Sequence, residues 1–361
     1  MGTVASAALE YARLSAKGKA LIHASVITFR PEGEIVWKTK AFEGISANGR
    51  SLRVPLAGAS YRRLSEDCYM DSALTDAPRA RLFELAGRGG AMAALEFGDA
   101  SRPVDIVFVH ANGFNARTYR AILEPLARDY RILAVDQRGH GRSTLPAETE
   151  GRTSWNGLRD DLLALLDTLD LGDVVLSGHS MGGTACVLAQ AEDSRRIRSL
   201  VLFDPVVTPG PSKVDPAQFA NSPMVQGALK RRSVFPDRAA VVAAYTGRGA
   251  FKTWPPEMLA DYVADGFRER PDGEVELSCS PAWEASNFSS HAHDTWGAFE
   301  AARVPMRIFR AAQGSTCRED PRLDALVAAG RIQMETVPGT THFVPMERPD
   351  LVQAALRKAV G

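Results

Sequence analysis

The chain has 361 residues, enough to bury a full core and longer than one domain usually needs. Lysine plus arginine equal aspartate plus glutamate at 43 each, so the formal charge is zero. That balance removes the electrostatic case for a nucleic-acid partner or an anionic membrane surface. The four cysteines, Cys68, Cys186, Cys279 and Cys317, show neither metal-ligand spacing nor a disulfide framework and read as free thiols of a reducing compartment. No apolar run approaches the ~20 residues of a membrane helix. The N-terminus shows no charged segment leading into an apolar stretch, so the cytoplasm is the expected location.

In chain order, residues 1–75 carry strand candidates at 22–29 and 34–38 but no chemical motif. Two readings stand for this extension: a loosely ordered accessory segment with no part in catalysis, which is favoured, or sequence upstream of a native start at Met70. Residues 81–86 and 91–97 read as a hairpin, and 104–110 as a continuous apolar strand buried on both faces. A helix is predicted over 118–126, a second buried strand over 130–136, and a helix over 158–169 whose leucines share one face. The run Val174-Val175-Leu176 leads into Ser177-Gly178-His179-Ser180-Met181-Gly182-Gly183, a helix is predicted over 182–191, and 197–203 forms a further buried strand. Alternating strands and helices of these lengths imply an α/β fold with a parallel sheet flanked by helices.

Residues 206–301 break that alternation. They are proline-rich, with helix candidates at 238–245 and 256–267 and no clear strand. The stretch reads as a helical cap over the carboxyl ends of the strands, where ligands bind in open α/β sheets. It separates a first core part, 76–205, from a second, 302–361. That second part contains strands at 306–310 and 332–337 and helices at 320–329 and 349–360.

Strand, tight turn and helix around Gly178-His179-Ser180-Met181-Gly182 form the context of a nucleophile elbow, in which glycines leave room for a strained turn. Ser180 is the candidate nucleophile. A serine hydroxyl needs a base within hydrogen-bond reach, and His342, in a loop between the last strand and the last helix, is the candidate. His179 points away from Ser180, His140 sits in a glycine-rich turn with a structural role, and His291 and His293 read as surface or cap packing. His23 lies in the extension. The oxyanion donors are expected from the main-chain N–H of Met181 and from the loop His110-Ala111-Asn112-Gly113-Phe114, with Asn112 favoured over Gly113.

Four segments together resemble the α/β-hydrolase family: His110-Ala111-Asn112-Gly113-Phe114, Asp136-Gln137-Arg138-Gly139-His140-Gly141-Arg142-Ser143, the elbow, and Gly339-Thr340-Thr341-His342. The similarity covers residue 80 to the end. It implies an eight-stranded, mostly parallel sheet, a cap after the sixth strand and no required cofactor. Residues 138–141 lack the following Lys-Ser/Thr of a phosphate loop.

The departure from the family pattern is the triad acid. The stretch after the seventh strand, Arg310-Ala311-Ala312-Gln313-Gly314-Ser315-Thr316-Cys317, has no carboxylate before Glu319 and Asp320. A minority of the family carries the acid after the sixth strand, where Asp204 stands. Asp204 is favoured, with Glu319 and Asp320 behind it and a plain Asp-Pro turn as the competing account. The expected activity is hydrolysis of a carboxylic ester of a small apolar molecule through Ser180, His342 and Asp204. The alternatives are a carbon–carbon bond hydrolase or a thioesterase using the same triad, and a non-catalytic ligand-binding member of the fold. Trp254, Trp283, Phe288, Trp296 and Phe299 suggest an apolar pocket or cap core.

Overall fold

The computed structural model describes residues 5–14, 20–29, 35–44, 77–207 and 216–361. Contacts divide the chain into two compact units, Met1–Ala73 and Leu74–Gly361. In the first, β1 (Ala5–Leu14), β2 (Ala20–Phe29) and β3 (Ile35–Gly44) form an antiparallel meander in that order. Met70 and Cys68 lie outside the described residues.

The second unit opens with the hairpin β4 (Arg79–Leu85) and β5 (Gly90–Phe97). Glu96 of β5 is wholly buried and is neutralised by Arg79, Arg81 and Arg131, which anchors the hairpin to its neighbours. Strands β6 (Ile106–Val109) and β7 (Ile132–Val135) are short and buried on both faces. Between them a 3₁₀ turn, the single-turn α1 (Arg120–Leu123) and a second 3₁₀ turn take the place of the continuous helix predicted there. Pro125 at the start of that second 3₁₀ turn interrupts regular helical bonding.

Helix α2 (Asn156–Thr168) turns its leucines inward and places Asp161 in a buried pair with Arg88 and Arg138. Then follow β8 (Val174–His179), α3 (Met181–Glu192) and β9 (Ile197–Phe203).

Between β9 and the next sheet strand lies the insertion. It contains α4 (Pro223–Leu229), α5 (Arg238–Tyr245), α6 (Pro256–Gly266), α7 (Pro281–Ser289) and α8 (Thr295–Glu300). It also holds a small antiparallel sheet, β10 (Val234–Phe235), β11 (Phe267–Glu269) and β12 (Val275–Leu277), ordered β10-β12-β11. The sequence reading had no strand here, because segments of two or three residues are too short to show alternation. The chain closes with β13 (Met306–Ala311), α9 (Pro321–Ala328), β14 (Gln333–Val337), α10 (Val344–Glu347) and α11 (Pro349–Val360).

The eight-stranded sheet has the order β14-β13-β9-β8-β6-β7-β5-β4, with β5 the one antiparallel strand. One apolar layer packs α2, α3, α8 and α9 on one face of the sheet. The other packs α1 and α11 on the opposite face and runs without a break into α5 and α6 of the insertion. Trp296 and Phe299 of α8 lie in the first layer, so within the stretch read as cap the chain has already returned to the core by α8.

Candidate active site

Ser180 stands between β8 and α3 with φ 54° and ψ −122°, a region that non-glycine residues rarely adopt. Its N–H donates to the Phe203 carbonyl at 3.0 Å, and its own carbonyl starts the helix by accepting from Thr184 at 3.1 Å. The flanking glycines are sterically required. A Cβ at Gly178 would fall 2.5 Å from the Gly182 main chain, and one at Gly182 would fall 2.3 Å from the Val109 carbonyl oxygen. The turn therefore closes only with hydrogen atoms at both positions.

His342, in the loop between β14 and α10, places Nε2 3.0 Å from Ser180 Oγ. Its Nδ1 donates to Asp204 Oδ2 at 2.6 Å. Asp204 follows β9 directly, has φ 43° and is fully buried. The end of β13 and the loop after it surround its carboxylate with donors: the N–H groups of Ala311 at 2.8 Å and Thr316 at 2.9 Å, and the hydroxyls of Ser315 at 2.5 Å and Thr316 at 3.3 Å. Burial by itself would raise this carboxyl; the hydrogen bond and charge of His342, with the hydrogen bonds from Ser315 and the Ala311 N–H, hold it below the ordinary aspartate value. Glu319 is exposed and reaches Arg310, while Asp320 caps α9 and pairs with Arg322. Neither has a hydrogen bond to His342 among the described residues.

Facing Ser180, the loop after β6 has most of its N–H groups engaged. That of Ala111 donates to Tyr119 Oη at 3.2 Å, that of Gly113 to His140 Nε2 at 3.0 Å and that of Phe114 to the Ala111 carbonyl at 3.1 Å. Among the described residues, Asn112 is the member of Ala111-Asn112-Gly113-Phe114 whose N–H stays unengaged. The Asn112 side chain instead ties this loop to α7, donating to the Glu284 carbonyl and accepting from Asn287.

The elbow histidine has a role that the sequence did not reveal. Tyr119 Oη, which takes the Ala111 N–H, donates to His179 Nδ1 at 2.8 Å, and His179 Nε2–H donates to the His342 carbonyl at 2.8 Å. One hydrogen-bonded chain thus joins the loop after β6 to the loop carrying His342. Burial, with the nearby His342, pushes His179 down to about 3 and keeps it neutral, as this pattern of one donor and one acceptor requires. His140, also buried and lowered, accepts the Gly113 N–H. His291 and His293 pack around Trp155.

Of the five aromatics singled out in the sequence, Trp254 packs beside the loop that carries His342. It packs on Phe114 at 5.0 Å and on Phe343, next to His342, at 6.1 Å. Its indole Nε1 is buried without a hydrogen-bond partner. Trp283 lies over Gly139 and donates to the Arg138 carbonyl, and Phe288 joins a small cluster with α4. Phe114, Phe343, Tyr119, Ser315 and Thr316 were missed as site residues. Only the hydroxyl pair in the carboxylate-free loop offered a signal. Among the described residues no group of acidic, histidine or cysteine side chains could hold a metal ion.

The model of the alpha/beta hydrolase family matches residues 106–355. The chain belongs to the α/β-hydrolase family. It is 26% identical over 260 residues to 2-(acetamidomethylene)succinate hydrolase of Mesorhizobium japonicum, covering 70% of this chain and 86% of that protein. It is 29% identical over 168 residues to 2-hydroxy-6-oxononadienedioate/2-hydroxy-6-oxononatrienedioate hydrolase of Paraburkholderia xenovorans, covering 45% and 57%. The crystal structure of E-2-(acetamidomethylene)succinate hydrolase superposes with a TM-score of 0.64 at 23% identity, over 78% of this chain and 99% of that one. This α/β-hydrolase has no helix, among its described residues, long and apolar enough to cross a membrane.

Proposed function

We propose that the chain is a serine hydrolase that breaks an activated carbon–carbon bond beside a ketone in a small organic acid. The observation that carries the catalytic part is the continuous line Ser180 Oγ, His342 Nε2, His342 Nδ1 and Asp204 Oδ2, with links of 3.0 and 2.6 Å. The choice of bond rests on one relative, the 2-hydroxy-6-oxononadienedioate/2-hydroxy-6-oxononatrienedioate hydrolase. A 2-hydroxy-6-oxononadienedioate has no ester, thioester or amide, so a hydrolase acting on it must cut next to its ketone. This moves the carbon–carbon alternative ahead of the ester expected from the sequence.

In this reading Ser180 Oγ attacks the carbonyl carbon while His342 Nε2 takes its proton, and Asp204 orients and stabilises the imidazolium. The N–H groups of Met181 and Asn112 hold the oxyanion. For a 2-hydroxy-6-oxodienoate the step acts on the keto tautomer, in which the hydroxyl proton has moved to the carbon beside the attacked ketone. Collapse of the intermediate then breaks the carbon–carbon bond, and its electron pair leaves on that saturated carbon as a conjugated enolate, which takes the proton from His342. Water then attacks the acyl-serine, passing one proton through His342 back to Ser180 Oγ. The net addition is hydrogen to one fragment and hydroxyl to the other.

The test compares a 2-hydroxy-6-oxodienoate, a short-chain aryl ester and an acyl thioester as substrates for the wild type and Ser180→Ala. The expected order places the dienoate first by kcat/KM, with Ser180→Ala at least about 10³-fold slower and still folded. Turnover of the ester with none of the dienoate restores the ester reading, and turnover of the thioester alone favours a thioesterase. Unchanged activity in Ser180→Ala would sink the mechanism.

A further inference from the structure

Nearly every arginine of this chain that is withdrawn from solvent has a carboxylate beside it; Arg152 does not. Among the described residues it is the one lysine or arginine that is not exposed and has no acidic side chain within salt-bridge range. It stands in the loop ahead of α2, with its guanidinium 4.3 Å from the centre of the Trp283 ring of α7. Nη1 donates to the hydroxyls of Ser286 at 3.2 Å and Ser290 at 3.3 Å, one and two turns further along the same helical stripe.

Stacking on an indole and bonding to neutral hydroxyls orient a cation without neutralising it. Nor do the surroundings neutralise it. Arg138 is a second cation, already matched by Asp161, and His291 and His293 are held neutral by burial. Burial, with Arg138 nearby, depresses the guanidinium itself to about 10. A withdrawn and unpaired cation is unfavourable unless an anion completes it.

The remaining donors have the geometry for one. Nε and Nη2 have no hydrogen-bond partner among the described residues, and neither is sealed from solvent. These two N–H groups form the side-on edge of the guanidinium, whose spacing matches the two oxygens of a carboxylate. Trp283 closes one face, and Ser286 and Ser290 fix the rotation about the other nitrogen.

We propose that Arg152, held by Trp283, Ser286 and Ser290, is a carboxylate-binding site at the seam between α7 and the loop before α2. The site needs no part of the triad. Its ligand is a small organic acid, which arrives either as the carboxylate end of the hydrolysed molecule or as a separate acid. The first source has a structural route, because Glu284 and Asn287 of the same helix hold Asn112 in the loop facing Ser180.

The test titrates succinate into the intact protein and follows tryptophan fluorescence, with sodium chloride at matched ionic strength as the control. The expected result is a saturable change that chloride does not reproduce. Arg152→Gln weakens it about ten- to a hundredfold, as expected for loss of a charged hydrogen-bonding partner. The Ser286→Ala/Ser290→Ala double variant, which retains the guanidinium, weakens it severalfold; should Arg152→Gln fail to fold by circular dichroism, this variant and Arg152→Lys carry the test.

Equal succinate affinity in the folded variants and the wild type overturns the site, as does a wild-type response no greater than that to chloride. If bound succinate slows fluorophosphonate labelling of Ser180, the carboxylate belongs to the hydrolysed molecule. Binding without protection identifies a separate acid. Absence of labelling altogether would count against the triad and leave the binding result standing.

Discussion

At the residue scale, the proposed triad acid and the donors that hold it come from two neighbouring strands. Asp204 follows β9 directly, but the donors of four hydrogen bonds that hold its carboxylate come from the last residue of β13 and the loop after it. Asp204→Asn is expected to lower kcat by roughly 10³–10⁴-fold, since an amide neither fixes the imidazole tautomer nor stabilises its charged form. A Glu319→Gln/Asp320→Asn double variant should stay within a few-fold of the wild type, its measurable change being the weakened α9 cap. Ser315→Ala removes a hydroxyl that lowers the Asp204 carboxyl. The acid limb of its pH–rate profile should move to higher pH, with activity at and above neutrality nearly retained; an unmoved limb would argue that Ser315 contributes nothing to the charge of Asp204.

At the scale of elements, the elbow depends on how closely α3 approaches β6. Gly182→Ala places a methyl group 2.3 Å from the Val109 carbonyl oxygen, where main chain rather than a mobile side chain must yield. The expected outcome is destabilisation by about 1–3 kcal/mol in denaturant titration, with turnover falling further than stability because Ser180 moves with the helix start. This element was legible in the sequence, as were the buried strands and the meeting of Ser180 with His342, because each is a long apolar run or a motif in which chemistry dictates residue type. What stayed hidden depends on packing across long sequence separations. The strands β10, β11 and β12 are too short for periodicity to register. Helix α8 has the aromatic content of a cap and the position of a core helix. Tyr119 bonds to His179, sixty residues away, through a hydroxyl that no local pattern distinguishes from an ordinary core tyrosine.

At the scale of the whole molecule, four histidines are buried as neutral donors and acceptors between loops. Burial holds His110 at about 4, His179 and His293 at about 3, and His140 well below its ordinary value. The unfolded chain takes up protons on all four near pH ~6.5, while the folded chain refuses them until far lower. Stability is therefore full above that value and falls as the pH drops toward 4. Asp136 works in the opposite sense for one proton, since burial raises it to about 6 in the folded chain. Histidines held neutral outnumber the raised carboxyls Asp136 and Asp261, so unfolding takes up protons on balance and stability falls as the pH drops through this range. Urea midpoints measured between about pH 7 and pH 5 should fall steeply; a flat series would show that these rings are protonated in the folded state.

The placement of Asp204 also makes the acid a transferable part. Strands β9 and β13 run parallel with Phe203 beside Phe309, so the chain leaving each strand arrives at the same imidazole edge. Thr316 Oγ1 already lies 3.4 Å from His342 Nδ1. A carboxylate introduced by Thr316→Asp on the Asp204→Asn background would approach that nitrogen from the other strand, with Ser315 still beside it as a donor. Partial recovery of turnover in the double variant over Asp204→Asn alone would show that two loops of this fold can exchange one charge between them. A chain could then pass from one arrangement to the other through a state with two acids, without losing its base on the way.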